Sequence, residues 1–325
     1  MAKPELAVSV STVRTLCGGA TSLNLSSKKI NNVPKRVSGL TKLSVLLLNN
    51  NSITGLPFCP SWDASQLSEL NLGNNALKKV PSVLGHLETL KKLYLFSNQI
   101  TEVPPDVKMN DTNALKIMFL VLDNNLEEVP AEIGHLTMLS ELNLTSNKLS
   151  VLPQQLYKCK DLTKLHVARN KLTSLPEGIT ALTKLHILDV AGNNLSMFPV
   201  EFHLLPLKEL YCEGNRFVKR KPMPSVQGAE VLALKELVAR FVLRTGRDRH
   251  SWVHMRLPHY PCLTTLLANA SCCAICFSPF VTTWLECVHF ISLKKTSLTV
   301  PVRALLCSYK CFNTDGHYYY GVATS

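Results

Sequence analysis

Apolar residues along 67–81, LSELNLGNNALKKVP, recur as L-x-x-L-x-L-x-x-N-x-L-x-x-V-P, and variants of this line fill most of the first two thirds of the chain. Strict alternation over Leu70-Asn-Leu72 predicts a short strand with the leucines facing a core and Glu69, Asn71 and Gly73 facing away. Leu77 and Val80 return to the core after a turn, and Pro81 fixes φ where the chain reverses. Asn75 stands alone as a polar residue in an apolar frame. Its amide can satisfy backbone groups that a sharp turn leaves unpaired.

With the asparagine column as a ruler, the register runs Lys28, Asn51, Asn75, Asn98, Asn125, Asn147, Asn170, Asn193 and Asn215. These nine units are spaced by 23, 24, 23, 27, 22, 23, 23 and 22 residues. A period in the low twenties predicts stacked copies of one strand-and-turn unit, each covering its neighbour's apolar side. The result is a curved α/β solenoid with a parallel sheet on its concave face, spanning residues 20–217. Polar Ser26 and Ser27 beside Lys28 suit a first unit that meets solvent, and the ninth ends at Phe217. The long step before Asn125 leaves three readings open for residues 105–126: a bulged convex loop, a partner-binding insertion, or a gene-model error.

Strand alternation also assigns the outward positions. In the frame Ile117, Leu120, Leu122, Asn125, the third to fifth units show Glu69, Asn71 and Gly73, then Lys92, Tyr94 and Phe96, then Phe119, Val121 and Asp123. Tyr94, Phe96, Phe119 and Val121 beside Lys92 have the composition of an interface centre; a register shift that buries Phe119 is the competing reading. Further along, Lys164, His166, Asp189 and Tyr211 make a mixed polar surface. His166 and Asp189 fall on adjacent strands at hydrogen-bonding range, yet no activated nucleophile accompanies them. P-loop, GxSxG and HExxH spacings are missing from the sequence. The chain therefore reads as a non-enzyme.

Charge and cysteine change the picture past residue 215. Of 35 Lys and Arg against 23 Asp and Glu, residues 1–215 hold 21 against 18 and residues 216–325 hold 14 against 5. Four of the 11 cysteines precede residue 216 and seven follow it. Residues 1–19 lack the apolar core of a secretory signal, and no apolar run reaches the ~18 residues of a membrane span. The expectation is a soluble cytoplasmic chain with reduced cysteines and no membrane partner. Lys219, Arg220 and Lys221, in a basic Pro-containing linker over 218–228, would allow nuclear access.

The C-terminal part, residues 229–325, carries the sharpest chemistry. Val231, Leu234, Val238 and Phe241 recur at helical spacing and predict an amphipathic helix over 229–244. Cys273-Ala-Ile-Cys276 and Cys307-Ser-Tyr-Lys-Cys311 are two close thiol pairs flanking β-rich runs, FVTTW and ECVHFISL, that could pair as a hairpin. In a reducing compartment two such pairs suit one tetrahedral structural Zn2+; the alternative is a metal-free cap of buried cysteines. CAICFSPF followed by Cys287 and His289 imitates the start of a RING domain, but the remaining ligands do not come at RING spacing. The basic, aromatic-bearing tail also raises nucleic-acid binding, which ranks last because no RNP motif or reading helix accompanies it.

The residues of 20–217, with their 23-residue period and L-x-x-L-P endings, resemble intracellular leucine-rich repeat proteins of the Shoc2/Ras-suppressor type. LCSYKC resembles the second half of FCS-type treble-clef zinc modules. The resemblance implies an α/β leucine-rich repeat solenoid with a C-terminal helix and a small cysteine-rich α+β cap. It further implies a protein-binding scaffold or adaptor in intracellular signalling. The alternative is a substrate-recognition subunit that recruits ubiquitin-ligase machinery through the tail.

Overall fold

The computed structural model describes residues 20–33, 37, 40–56, 66–82, 84, 87, 89–104, 118–218, 232–246, 251–282, 284–293, 298–314 and 316–321. The expectations for residues 1–19, the loop 105–117 and the basic cluster Lys219–Lys221 lie outside them. Nine three-residue strands form the repeat region: β1 (Ser22–Asn24), β2 (Val45–Leu47), β3 (Glu69–Asn71), β4 (Lys92–Tyr94), β5 (Met118–Leu120), β6 (Glu141–Asn143), β7 (Lys164–His166), β8 (Ile187–Asp189) and β9 (Glu209–Tyr211). All neighbours pair parallel, in sequence order. The central residue of each strand, from Leu23 to Leu210, is buried. Each such leucine contributes on the order of 2 kcal/mol by leaving water.

The asparagine column stitches the turns. Asn147 Oδ1 accepts from the Leu126 amide at 3.0 Å, and its Nδ2 donates to the Val121 and Leu144 carbonyls at 2.9 and 3.0 Å. Asn98, Asn170 and Asn193 repeat the arrangement. Just before each column residue the backbone turns left-handed, at Ser97, Ser146 and Arg169 among others.

The fifth unit corrects the sequence register by one residue. Asn124, not Asn125, fills the column, with Oδ1 accepting from the Ile100 amide at 3.0 Å, and the left-handed turn residue before it is Asp123, φ 53°. Phe119 and Val121 are consequently core residues, 1% and 0% exposed, and leave the predicted binding set. A slip of one residue exchanges the two faces of a strand. Met118, Leu120 and Leu122 take the outward places.

The second compact unit comprises residues 217–325 together with Met197–His203. Phe198 joins it through its N–H, donated to the Pro301 carbonyl at 2.8 Å, and its carbonyl, which accepts from the Arg303 amide at 2.8 Å. Its helices are α1 (Leu234–Thr245), α2 (Trp252–Arg256), α3 (Pro261–Ala268) and α4 (Tyr309–Phe312). Its strands are β10 (Ser271–Cys272), β11 (Pro279–Phe280), β12 (Leu285–Ser292), β13 (Thr299–Leu306) and β14 (Tyr319–Gly321). β10 and β11 form a small antiparallel hairpin, and β12 lies between β13 and β14 in an antiparallel sheet. The ECVHFISL run thus pairs with residues 299–306 and not with FVTTW.

Helix α1 begins five residues into the predicted range and ends one residue past it, and it buries the opposite side. Glu236, Ala239 and Arg240 point inward, while Leu234, Val238 and Phe241, expected in the core, are 76%, 52% and 61% exposed. The reason is chemical: the buried carboxylate and guanidinium satisfy each other and several backbone groups.

Candidate binding face and cysteine cluster

Outward side chains of the parallel strands form three rows. In register, Lys92 stands beside Met118 and Tyr94 beside Leu120, with Phe96 and Leu122 one step beyond each strand. Tyr94, Phe96, Met118, Leu120 and Leu122 are all half-buried. Together they make an apolar patch two units wide on the face that the sheet turns away from its core. Gly73, on the preceding unit, lies under the Phe96 ring. Burial, with Glu69 close by, raises the Tyr94 phenol above its ordinary range, so its hydroxyl stays a neutral donor.

Ion pairs flank the patch on both sides. Lys92 Nζ reaches Glu69 at 3.4 Å and Lys164 Nζ reaches Glu141 at 3.3 Å. These are partly exposed and contribute little to stability. His166 Nδ1 and Asp189 Oδ2 are neighbours across β7 and β8 at 3.8 Å, an ion-pair separation that is too long for the expected hydrogen bond. Tyr211, at the far end, donates its hydroxyl to Glu209 at 2.7 Å, which raises its pKa. Of the sequence-derived set, Lys92, Tyr94, Phe96, Lys164, His166, Asp189 and Tyr211 stand on the ladder; Phe119 and Val121 do not.

The second constellation is built by two turns. Cys273 and Cys276 sit in the loop between β10 and β11, which is closed by Cys273 N–H donating to the Ser278 carbonyl and Phe277 N–H to the Cys273 carbonyl, both at 3.0 Å. Phe277 holds φ 56° there, a left-handed conformation unfavourable for a bulky side chain. Cys307 directly follows β13, and Cys311 lies in the single turn of α4, where Ser308 caps the helix. The four sulfurs lie within 4.8 Å of one another and could hold a metal ion. Cys276 and Cys307 sulfurs are 3.4 Å apart, and Cys307 and Cys311 sulfurs 3.6 Å.

Thiol acidity varies sharply across the cluster. Burial raises the Cys276 pKa, but hydrogen bonds from Ser278, Cys307 and Cys273 outweigh it and bring it down to about 6. Burial pushes Cys307 and Cys311 upward. Cys287 is buried beside the cluster, pushed up to about 12, and is not one of the four.

One ion pair joins α1 to Cys307 and to the segment just after β11. Glu236 accepts from Arg240 Nε at 2.6 Å, from Val281 N–H at 3.1 Å, and from the Thr282 N–H and hydroxyl at 2.6 and 2.7 Å. Arg240 Nη2 donates to the Cys307 carbonyl at 3.0 Å. Burial on its own raises the Glu236 pKa, yet these bonds bring it down to about 2. Sequence reasoning passed over both residues, since Glu and Arg four apart on a helix ordinarily mark a solvated face.

A parallel stack of this kind, with its asparagine column, is a leucine-rich repeat solenoid. Among solved structures, a TDR receptor superposes with a TM-score of 0.55 at 26% identity over 63% of this chain and 36% of that one. Over 132 residues the chain is 40% identical to leucine-rich repeat-containing protein 69 of Xenopus laevis, and over 133 residues 36% identical to the Mus musculus protein of that name. Each alignment spans 39% of this chain and 38% of the relative's own length. No family model matches. Among the described residues no helix is long and apolar enough to cross a membrane.

Proposed function

We propose that the chain is a non-enzymatic scaffold that grips a protein partner across the outward face of its repeat sheet. Tyr94, Phe96, Met118, Leu120 and Leu122 are the anchor, and Lys92, Lys164, His166, Asp189 and Tyr211 are the polar flank that sets orientation. The observation carrying this reading is the meeting of five large apolar side chains on adjacent strands, on the side of the sheet that does not face the core. Grouped aromatic and aliphatic anchors with a polar rim are the composition of an interface centre. Intracellular signalling from the cytoplasm, with nuclear access, is the setting this reading assumes. A photo-crosslinking amino acid placed at Leu120 tests it: the adduct forms there and not at exposed Val151. Equal capture at both positions refutes it.

The cysteine cluster in this reading carries one structural Zn2+ in closed four-thiolate coordination. Metal analysis of reduced protein tests that assignment.

A second reading is favoured by a specific observation in the C-terminal unit. Leu234, Leu237, Val238 and Phe241 on α1 and Trp252, Met255, Tyr260 and Leu263 beyond it are largely exposed, an apolar surface of the kind that marks a docking site. In that reading the tail recruits assembly machinery, of the ubiquitin-ligase class, while the repeat face selects the substrate. Val238→Asp abolishes recruitment under this reading and leaves capture at Leu120 intact; retained recruitment eliminates it.

A further inference from the structure

Helix α1 is attached to the cysteine module by very little apolar surface. Ala239 is its buried apolar residue, packed with Leu267 and Val281 and with half-buried Val242 and Leu243 at the edge. The rest of the inward side is the Glu236–Arg240 pair. A buried ion pair seldom stabilises by itself, because desolvation offsets its attraction. Here the pair is held by further bonds, to the Val281 and Thr282 amides, the Thr282 hydroxyl and the Cys307 carbonyl. Val281 and Thr282 follow β11, the strand that leaves the Cys273–Cys276 loop, and Cys307 is itself one of the four thiols. The ion pair therefore touches one ligand residue directly, through the Cys307 carbonyl, and holds the segment that follows the hairpin carrying Cys273 and Cys276.

The thiol geometry fits a metal of the size required. Tetrahedral Zn–S bonds of ~2.3 Å place sulfurs about 3.8 Å apart, and the observed sulfur pairs lie at 3.4 and 3.6 Å, all four within 4.8 Å. Bound metal would hold Cys307 against the loop between β10 and β11, and with it the backbone groups that Arg240 and Glu236 contact.

Building on the Zn2+ assignment above, we infer that Glu236 and Arg240 are positioning residues of the metal centre, and that metal occupancy and docking of α1 are one coupled event. Loading the thiolates sets the backbone groups that seize the ion pair; removing the ion releases the helix. By linkage the same coupling runs backward: docked α1 raises metal affinity by the factor by which bound metal favours docking, so weakening the ion pair weakens metal retention. Loss of an outer partner typically costs ~10–100-fold in metal affinity.

The test uses the full-length reduced protein. Zinc content is measured first, then retention against a chelator of known affinity for wild type, Glu236→Gln, Arg240→Met and Arg240→Lys, with Cys262→Ser as a control outside the cluster. Hydrogen exchange over Leu234–Thr245 is followed in loaded and stripped wild-type protein, a readout that needs no variant to fold. The inference expects one zinc per chain, ~10–100-fold weaker retention in Glu236→Gln and Arg240→Met, partial recovery in Arg240→Lys, and faster exchange across α1 on stripping. The cobalt-loaded Arg240→Met protein also shows a shifted d–d spectrum, which a merely structural role would leave alone. Zinc bound one to one with unchanged retention in the variants and unchanged α1 exchange on stripping overturns the coupling while leaving the metal assignment standing. A wild-type protein that carries no zinc, or carries iron or a disulfide in its place, overturns the assignment and with it this inference.

Discussion

The ring of Phe96 lies flat across Gly73, and a Cβ built on Gly73 would collide with it. Phe96 therefore has its place on the sheet face because the neighbouring unit offers no side chain there. Gly73→Val leaves the core untouched and pushes the ring aside, since the collision is with the far end of a flexible side chain. Its unfolding free energy should change by about 1 kcal/mol or less, while partner affinity falls as far as in Phe96→Ala. Paired urea melts and binding titrations check this, and unchanged affinity in Gly73→Val contradicts it.

Neighbouring residues on β5 should respond in opposite ways. Phe119→Ala empties a fully buried site and should destabilise by about 3–5 kcal/mol. Leu120→Ala, one residue on and facing outward, should cost about 1 kcal/mol or less and reduce partner binding instead. The register inferred from the sequence alone demands the reverse, so denaturant midpoints of the two variants decide between registers directly.

The asparagine column should be intolerant of truncation. Asn147→Ala leaves the Leu126 amide buried without its partner and takes one donor from each of the Val121 and Leu144 carbonyls, which keep those of Asn124 and Asn170. An unsatisfied buried amide costs ~1–3 kcal/mol, so a loss in that range is expected. Urea unfolding of the variant checks it; a loss under ~0.5 kcal/mol would mean that water replaces the side chain.

Acid should weaken the C-terminal unit through Glu236. Its hydrogen bonds hold its pKa at about 2, below the ordinary 4.5 of a glutamate, so the fold prefers the charged form. That contribution is complete above pH ~4.5 and is lost as pH falls toward 2; a depressed pKa of this size corresponds to on the order of 3 kcal/mol. Thiolate protonation releases metal over an overlapping range, so the measurement is the difference between wild type and Glu236→Gln. The gap between their stability curves should be widest above pH 4.5 and close on acidification. A gap that does not depend on pH contradicts the assignment.

The repeat architecture was legible because the Leu and Asn positions recur with one period, and most strands alternate between apolar and polar positions. The fifth did not: KIMFLVL is apolar on both faces, so alternation carried no phase, and Leu120 and Leu122 imitated the leucine frame. The missing signal was the N-x-L step. Asn124 stands two residues before Leu126, as Asn147 stands two before Leu149, which a column set by the turn would have found. The four clustered thiols were legible from their paired spacing, whereas the Glu236–Arg240 pair was not. Apolar spacing on α1 pointed to Leu234, Val238 and Phe241 as the inward side, and only tertiary hydrogen bonding reverses it.

The central claim is that the repeat face, through the patch on β4 and β5, is the contact surface. Proximity labelling in cells with the full-length protein, its Leu120→Asp variant and its Val238→Asp variant, all matched for expression and circular dichroism, tests it most directly. The account predicts that Leu120→Asp removes the principal labelled proteins while Val238→Asp retains those bound through the repeats. An unchanged set in Leu120→Asp would contradict it.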